Sequence, residues 1–206
     1  MDTVTSLGGC ELDVDGYGID LCYSASQKCL SCPPGLAPIT ANEKAMERIR
    51  NRKTRVQSWY LDLSTIEKYW VENNRIYHHT APILLVYALR ESLRLIYEEG
   101  LEDRWRRHQK NSLALISGLE SLGLKIHAEE DHRCPSLTAV KVPEGVEDQN
   151  IRRTLREEFN ITVSGGLGGL KGKIWRIGLM GVNSNRGIVT RFLRALEHTL
   201  KKERYL

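Results

Sequence analysis

Apolar residues recur along the chain at two different spacings, and the change of spacing divides it. Ile19, Leu21 and Tyr23 alternate with polar neighbours and predict a short strand over residues 19–23. Residues 35–39 predict a second strand. Thr40-Ala41-Asn42-Glu43 then reads as a capping box, in which the threonine and glutamate side chains satisfy orphan backbone N–H groups. The helix it opens runs through Ala45, Met46 and Ile49, and a second short helix is predicted over residues 64–70. From Pro82 the spacing lengthens. Leu85, Leu89, Leu93 and Ile96 form the stripe of a helix that stops at Gly100. Leu113, Ile116 and Leu119 form the stripe of another, over residues 102–122, that stops at Gly123. Beyond it strands and helices alternate. Strands are expected over 124–128, 137–142, 161–164 and 174–177, with a helix over 148–159 carrying Ile151, Leu155 and Phe159. A closing helix over 184–202 carries Val189, Phe192, Leu193, Leu196 and Leu200.

This order predicts an α/β chain in three parts: residues 1–80, two long linking helices over 81–123, and a small α+β domain over 124–206 with helices on one side of its sheet. No internal repeat interrupts it.

Composition narrows the class. The chain has 206 residues, of which 41% are hydrophobic and 27% charged, so a packed globular core is expected rather than disorder. Thirty basic and 26 acidic residues leave a net charge of +4, too mild an excess for a nucleic-acid partner. The basic clusters over 48–55 and 104–110 lie in helical patterns with acids nearby and read as solvated helix faces. No apolar run reaches membrane-spanning length. Five cysteines, at 10, 22, 29, 32 and 134, are an odd number and read as reduced intracellular thiols. Cys29 and Cys32 form a C-x-x-C pair, but no second ligand pair accompanies them to make a zinc site.

The most informative residue is Lys28. It follows Ser24-Ala25-Ser26-Gln27, at the end of the first strand, and Pro33-Pro34-Gly35 closes the segment. A lysine presented among small residues can be approached closely by a flat cofactor, and its amine can form a Schiff base. The plainer reading is a surface lysine in a turn. Four more segments accompany it in order: Tyr77-His78-His79-Thr80, Ala88-Leu89-Arg90-Glu91-Ser92-Leu93, Gly165-Gly166-Leu167-Gly168 and Arg176-Ile177-Gly178.

Together these segments resemble the class V aminotransferases of fold type I, closest to the alanine–glyoxylate or serine–pyruvate group, over essentially the whole chain. The resemblance implies part of a large domain that binds pyridoxal 5'-phosphate (PLP), followed by a small α+β domain. It implies that Lys28 holds the cofactor and moves the substrate's α-proton, with Gln27 beside it. Asp2, before Thr3-Val4-Thr5-Ser6-Leu7-Gly8-Gly9, is the implied partner of the pyridine nitrogen. A carboxylate there keeps the ring protonated and a better electron sink. Tyr77 and Thr80 are implied to reach the phosphate of a dimer partner's cofactor, and Arg176 to grip the substrate carboxylate in a bidentate fork. Family members are homodimers, peroxisomal or mitochondrial, and much longer. The resemblance therefore implies a chain that starts near the middle of the large domain, and Arg204-Tyr205-Leu206 is not the Ser-Lys-Leu peroxisomal address. Ala25 departs from the family's usual glycine.

The remaining motifs resolve to plainer readings. Adjacent His78 and His79 point to different faces and make a poor metal pair, and no metal site is expected. Thr80 reads as a helix N-cap ahead of Pro82. The glycine-rich run after Ser164 fails the P-loop spacing, with Leu167 at the first glycine position and Ile174 in place of Ser or Thr, and reads as a turn between strands. Arg90 and Glu91 read as helix-surface charges. Three further functional readings stand beside transamination: a non-catalytic truncated product, a class V lyase, or an aminotransferase for kynurenine-type substrates. Gln27, where a desulfurase would carry histidine, weighs against the lyase.

Overall fold

The computed structural model describes residues 1–71 and 76–206. The predicted first strand is β1 (Leu21–Tyr23), paired antiparallel with β2 (Ile39–Ala41), with Cys22 opposite Thr40. Asp2 bridges to Tyr23 in parallel on the other side, so residues 1–3 extend this ribbon. The second strand lies later than expected because Pro33, Pro34 and Pro38 have no N–H to donate. Before Ile39 the backbone pairs with the first strand's segment by accepting, Pro38 from the Ser24 N–H at 2.8 Å and Leu36 from the Ser26 N–H at 3.0 Å.

Thr40 is consequently a strand residue and not a helix cap. Asn42 caps α1 (Glu43–Arg50), its Oδ1 accepting from the Ala45 N–H at 2.9 Å. Glu43 pairs with Arg50 instead of completing a capping box. Helix α2 (Leu63–Trp70) is capped by Asp62.

Two long helices follow, α3 (Ile83–Glu99) and α4 (Leu101–Ser121). Pro82, not Thr80, is the N-cap of α3. Only Ser92 and Ile96 of α3 are buried. Leu93 is exposed against expectation, and Ile83, Leu84, Tyr87 and Tyr97, outside the predicted stripe, are exposed too. On α4 the buried face is carried by Leu115, Ile116 and Leu119, and the expected Leu113 faces out.

A three-stranded antiparallel sheet follows, in the order β3 (Leu137–Lys141), β5 (Ile174–Gly178), β4 (Ser164–Gly165). The strand predicted over 124–128 is reduced to one bridge, Ile126 to Val140. The strand predicted over 161–164 survives as the two residues of β4. Helices α5 (Asp148–Phe159) and α6 (Arg186–Lys202) pack on this sheet. The hydrophobic core lies here. Leu115 and Leu119 of α4, Val140, Ile151, Leu155, Trp175, Leu196 and Leu200 are all essentially inaccessible to water. Alternation along β5 sends Trp175 and Ile177 into that core, so Arg176 and Gly178 share the opposite face. Among the described residues no helix is long and apolar enough to cross a membrane.

Candidate active site

Lys28 sits in a tight turn that its small neighbours build. Ser26 is fully buried. Its hydroxyl donates to the Pro33 carbonyl at 2.7 Å and accepts from the Leu36 N–H at 3.3 Å, drawing the segment closed. The Cys32 N–H donates to the Ser26 carbonyl at 3.0 Å. Cys29 and Cys32 are both buried free thiols packed in the turn. Ser31 has φ of 61°, a left-handed conformation that costs a non-glycine residue about 1–2 kcal/mol. Its hydroxyl offsets part of this by accepting from the Val182 N–H at 3.1 Å. That contact explains Gly181, with φ of 58°, because a Cβ there would lie 1.8 Å from the Ser31 Oγ.

The turn opens onto a cleft of about 370 Å³ lined on one side by Gln27, Lys28 and Ser31, and on the other by Gly178, Met180 and Asn183. Lys28 is half-buried at its edge and Gln27 is exposed. Gly178 lies on the same face of β5 as Arg176, which lines a second cavity of about 870 Å³ together with Arg152, Gly165 and Lys171. The glycine-rich run is, as expected, the connection between two strands, and it forms one wall of this cavity. Arg176 is half-buried, and its Nε donates to the Gly165 carbonyl at 2.9 Å. Among the described residues it makes no ion pair, so its forked guanidinium edge is available to an anion. Arg152, by contrast, is held in two hydrogen bonds to Asp148 at 2.8 and 2.9 Å.

Asp2 is exposed beside β1. Its Oδ1 accepts from the Val4 N–H at 2.8 Å and its Oδ2 from the Tyr23 hydroxyl at 2.9 Å. These two donors, the Val4 N–H first, hold the carboxyl below its usual range, so Asp2 is an anion at neutral pH. The Tyr77 and Thr80 hydroxyls are bonded to each other at 2.6 Å on the exposed entry to α3, and neither lines the Lys28 cleft. Of the predicted site residues, the structure thus places Lys28 and Gln27 at one cleft and Arg176 at another, with Asp2 on the ribbon that leads into the Lys28 turn.

The residues that sequence reasoning missed hold this turn from behind. Arg104 and His108 of α4 lie in the cluster expected to face water, yet Arg104 is 3% exposed and His108 is fully buried. Arg104 donates to the Gly8 carbonyl at 2.9 Å and to the carbonyl of Cys29, the residue after Lys28, at 2.5 Å. Glu99 pairs with it at 2.6 Å and also with Arg107, which reaches the Gly181 carbonyl at 3.0 Å. The Asn111 side-chain amide donates to the Ser184 carbonyl at 2.9 Å. One network therefore grips both walls of the Lys28 cleft.

His108 completes it, and its partners fix its state. A carbonyl only accepts, so Nδ1 carries the proton toward the Arg104 carbonyl at 2.8 Å. A backbone amide only donates, so Nε2 is the bare acceptor for the Gly181 N–H at 3.0 Å. The ring is neutral, and burial first, with the Arg107 and Arg104 charges adding to it, lowers its pKa below 6.5. Protons then bind the unfolded chain more readily than the folded one, so stability is fully present above about pH 6.5 and declines as pH falls through the lowered value. The urea midpoint should drop between pH 7.5 and 5.5, and a His108→Gln chain should show a shallower slope over that window. Equal slopes would remove His108 as the source.

The family model described as "Aminotransferase class-V" matches residues 1–185. An alanine–glyoxylate aminotransferase of Callithrix jacchus is 42% identical, over 98% of this chain and 51% of its own length. An (S)-ureidoglycine–glyoxylate transaminase of Bacillus subtilis is 38% identical, over 97% of this chain and 52% of its own. The crystal structure of an alanine–glyoxylate aminotransferase from Nostoc superposes with a TM-score of 0.93 at 52% identity, covering 97% of this chain and 52% of that one. The chain spans about half the length of the relatives it matches.

Proposed function

Because the chain belongs to the class V aminotransferase family, we propose that it carries the lysine-bearing part of a PLP-dependent enzyme that moves an amino group from alanine or serine to glyoxylate or pyruvate. The observation that carries this reading is Lys28, half-buried in a turn built from small buried residues and open to a cleft whose far wall, Gly178, lies two residues along β5 from Arg176. Both relatives take their names from glyoxylate, which favours it over pyruvate as acceptor.

The donor set fits a phosphorylated pyridine. Asp2 is an anion, as a protonated ring nitrogen requires, and Lys28 offers an amine at an open edge. The cofactor, when bound, supplies the electron sink that stabilises a carbanion at the substrate's α-carbon. The chain's own residues do the rest. Asp2 holds positive charge on the ring nitrogen. Arg176 would pair with the substrate carboxylate and so fix the orientation of the substrate's α-carbon. The Lys28 amine would take the proton from the substrate's α-carbon and hold it on Nζ. Gln27 borders the same cleft.

Tyr77 and Thr80 would serve the phosphate of a second copy. Their exposure, and the apolar face of α3 that begins beside them with Ile83, Leu84 and Tyr87, supports a homodimer.

Reduction with borohydride in the presence of PLP tests the central assignment. The phosphopyridoxyl label is expected on Lys28, seen as loss of tryptic cleavage there and a mass increase on the joined peptide. A Lys28→Ala chain should remain unlabelled. A label distributed over other lysines, unchanged by that substitution, would sink the proposal.

A further inference from the structure

A third cavity, of about 640 Å³, lies along α6, and none of its lining residues lines the Lys28 cleft or the Arg176 cavity. Its volume is that of a small-molecule site. Arg186, Thr190, Arg194 and His198 stand four residues apart on the helix, so they fall on one stripe. At about 1.5 Å per residue that stripe is about 18 Å long. Arg191 borders it and is fixed in place by donating to the Phe159 carbonyl at 2.8 Å. Buried Ala195 and the half-buried Phe159 ring give the cavity an apolar floor. The Phe159 ring meets the exposed His198 imidazole edge-on, with 5.4 Å between centroids.

The charge around this floor has one sign. Among the described residues no carboxylate lines the cavity. Glu197 and Glu158, the acids near its His198 end, are taken by Lys201 and Lys202. Arg186 and Arg194 make no ion pair and no side-chain hydrogen bond among the described residues, and the Thr190 hydroxyl makes none either. The arginine cluster of α5 differs on this point. There Arg152 is held by Asp148, Arg153 donates to the Asn150 Oδ1 at 3.0 Å, and Arg156 faces Glu157 at 3.4 Å. Unpaired cations on a plain surface are solvated by water. These instead ring a concave site with an apolar base.

We propose that this cavity binds a nucleoside triphosphate. Three guanidiniums bordering one space repel each other until anionic charge is placed among them. Guanidinium is weakly hydrated, and its paired N–H donors match phosphate oxygens. A single carboxylate would leave most of the stripe uncompensated. A phosphate chain spans it, with Arg186 and Arg194 at its sides, the Thr190 hydroxyl as a neutral donor between them, and Arg191 closing from the flank. The flat base then covers the apolar end, against His198 and Phe159.

Isothermal titration calorimetry on the purified chain, at low salt and without PLP, tests this with ATP, tripolyphosphate and adenosine. ATP should bind at a single site, tripolyphosphate more weakly, and adenosine not detectably. Arg186→Ala and Arg194→Ala should each weaken ATP binding by roughly tenfold, the loss of a charge-assisted contact. Both side chains are exposed and unbonded, so the thermal midpoint should stay at the parent value. His198→Ala should bring ATP down to the affinity of tripolyphosphate and leave tripolyphosphate unchanged. Arg156→Ala and Arg176→Ala should bind ATP as the parent does. The proposal fails if ATP does not bind, or if tripolyphosphate binds the parent as tightly as ATP. It fails equally if Arg156→Ala or Arg176→Ala loses as much affinity as Arg194→Ala, or if a polyglutamate peptide binds the stripe more tightly than ATP.

Discussion

Replacing Arg104 with methionine should destabilise the folded chain by about 3–5 kcal/mol, the cost of removing one partner from a buried charge network. Methionine matches the length of the side chain and supplies no donors. The Gly8 and Cys29 carbonyls then lose their charged partner in a buried setting, at 2.9 and 2.5 Å from where the guanidinium stood. Glu99 keeps Arg107, so the loss is concentrated at the Lys28 turn rather than spread over the helix. Domains of this size are stable by roughly 5–15 kcal/mol, so the loss is a large fraction of the total. Arg106 supplies the internal control. It lies two residues away, is solvent-exposed, and among the described residues pairs only with exposed Asp103, so Arg106→Met should change stability by less than about 0.5 kcal/mol. Urea titration of the two variants beside the parent chain measures both. Similar midpoints for Arg104→Met and Arg106→Met would show that the network does not hold the turn.

That contrast also explains what could be read from the chain alone. The Lys28 turn was legible because its determinants are local: small residues before the lysine, then Pro33-Pro34-Gly35. The Arg104 network was not, because charge patterning assigns a basic run on a helix to water. Nothing within the helix signals that two carbonyls 96 and 75 residues away will need a donor. His108 was hidden for the same reason, its Nε2 partner lying 73 residues ahead at Gly181. The cap of α1 failed more narrowly. Thr40 and Asn42 are both good capping types, and the choice between them was made by strand pairing of Thr40 with Cys22, a contact between segments. On α4, the stripe Leu113, Ile116 and Leu119 had the right period but was set two residues out of phase at its start. The helix turns Leu115 into the core because α6 and β3 approach from that side. Core positions on α5 and α6 were read well, since a strongly two-sided helix leaves one choice of face.

Arg176→Lys should cost the transamination reaction about 2–4 kcal/mol in kcat/KM, roughly 30- to 1,000-fold, when measured on this chain extended to its relatives' full length. The substitution keeps the charge and removes the planar fork. It also removes the Nε that donates to the Gly165 carbonyl at 2.9 Å, and a lysine ammonium would have to choose between that carbonyl and the substrate. The structural readouts should barely move. Arg176 is half-buried, makes no ion pair among the described residues, and faces the cavity rather than the core that Trp175 and Ile177 fill. The expected pattern is therefore specific: unchanged urea midpoint, unchanged PLP absorbance, and a loss that falls on amino acid and oxo acid alike, because both present the same carboxylate. Amines without a carboxylate should discriminate poorly between parent and variant. If the midpoint collapses while the activity of the surviving folded protein is normal, Arg176 serves the Gly165 turn, and the carboxylate must be gripped by another cation of the same cavity, of which Lys171 is the one not already bound to Asp148.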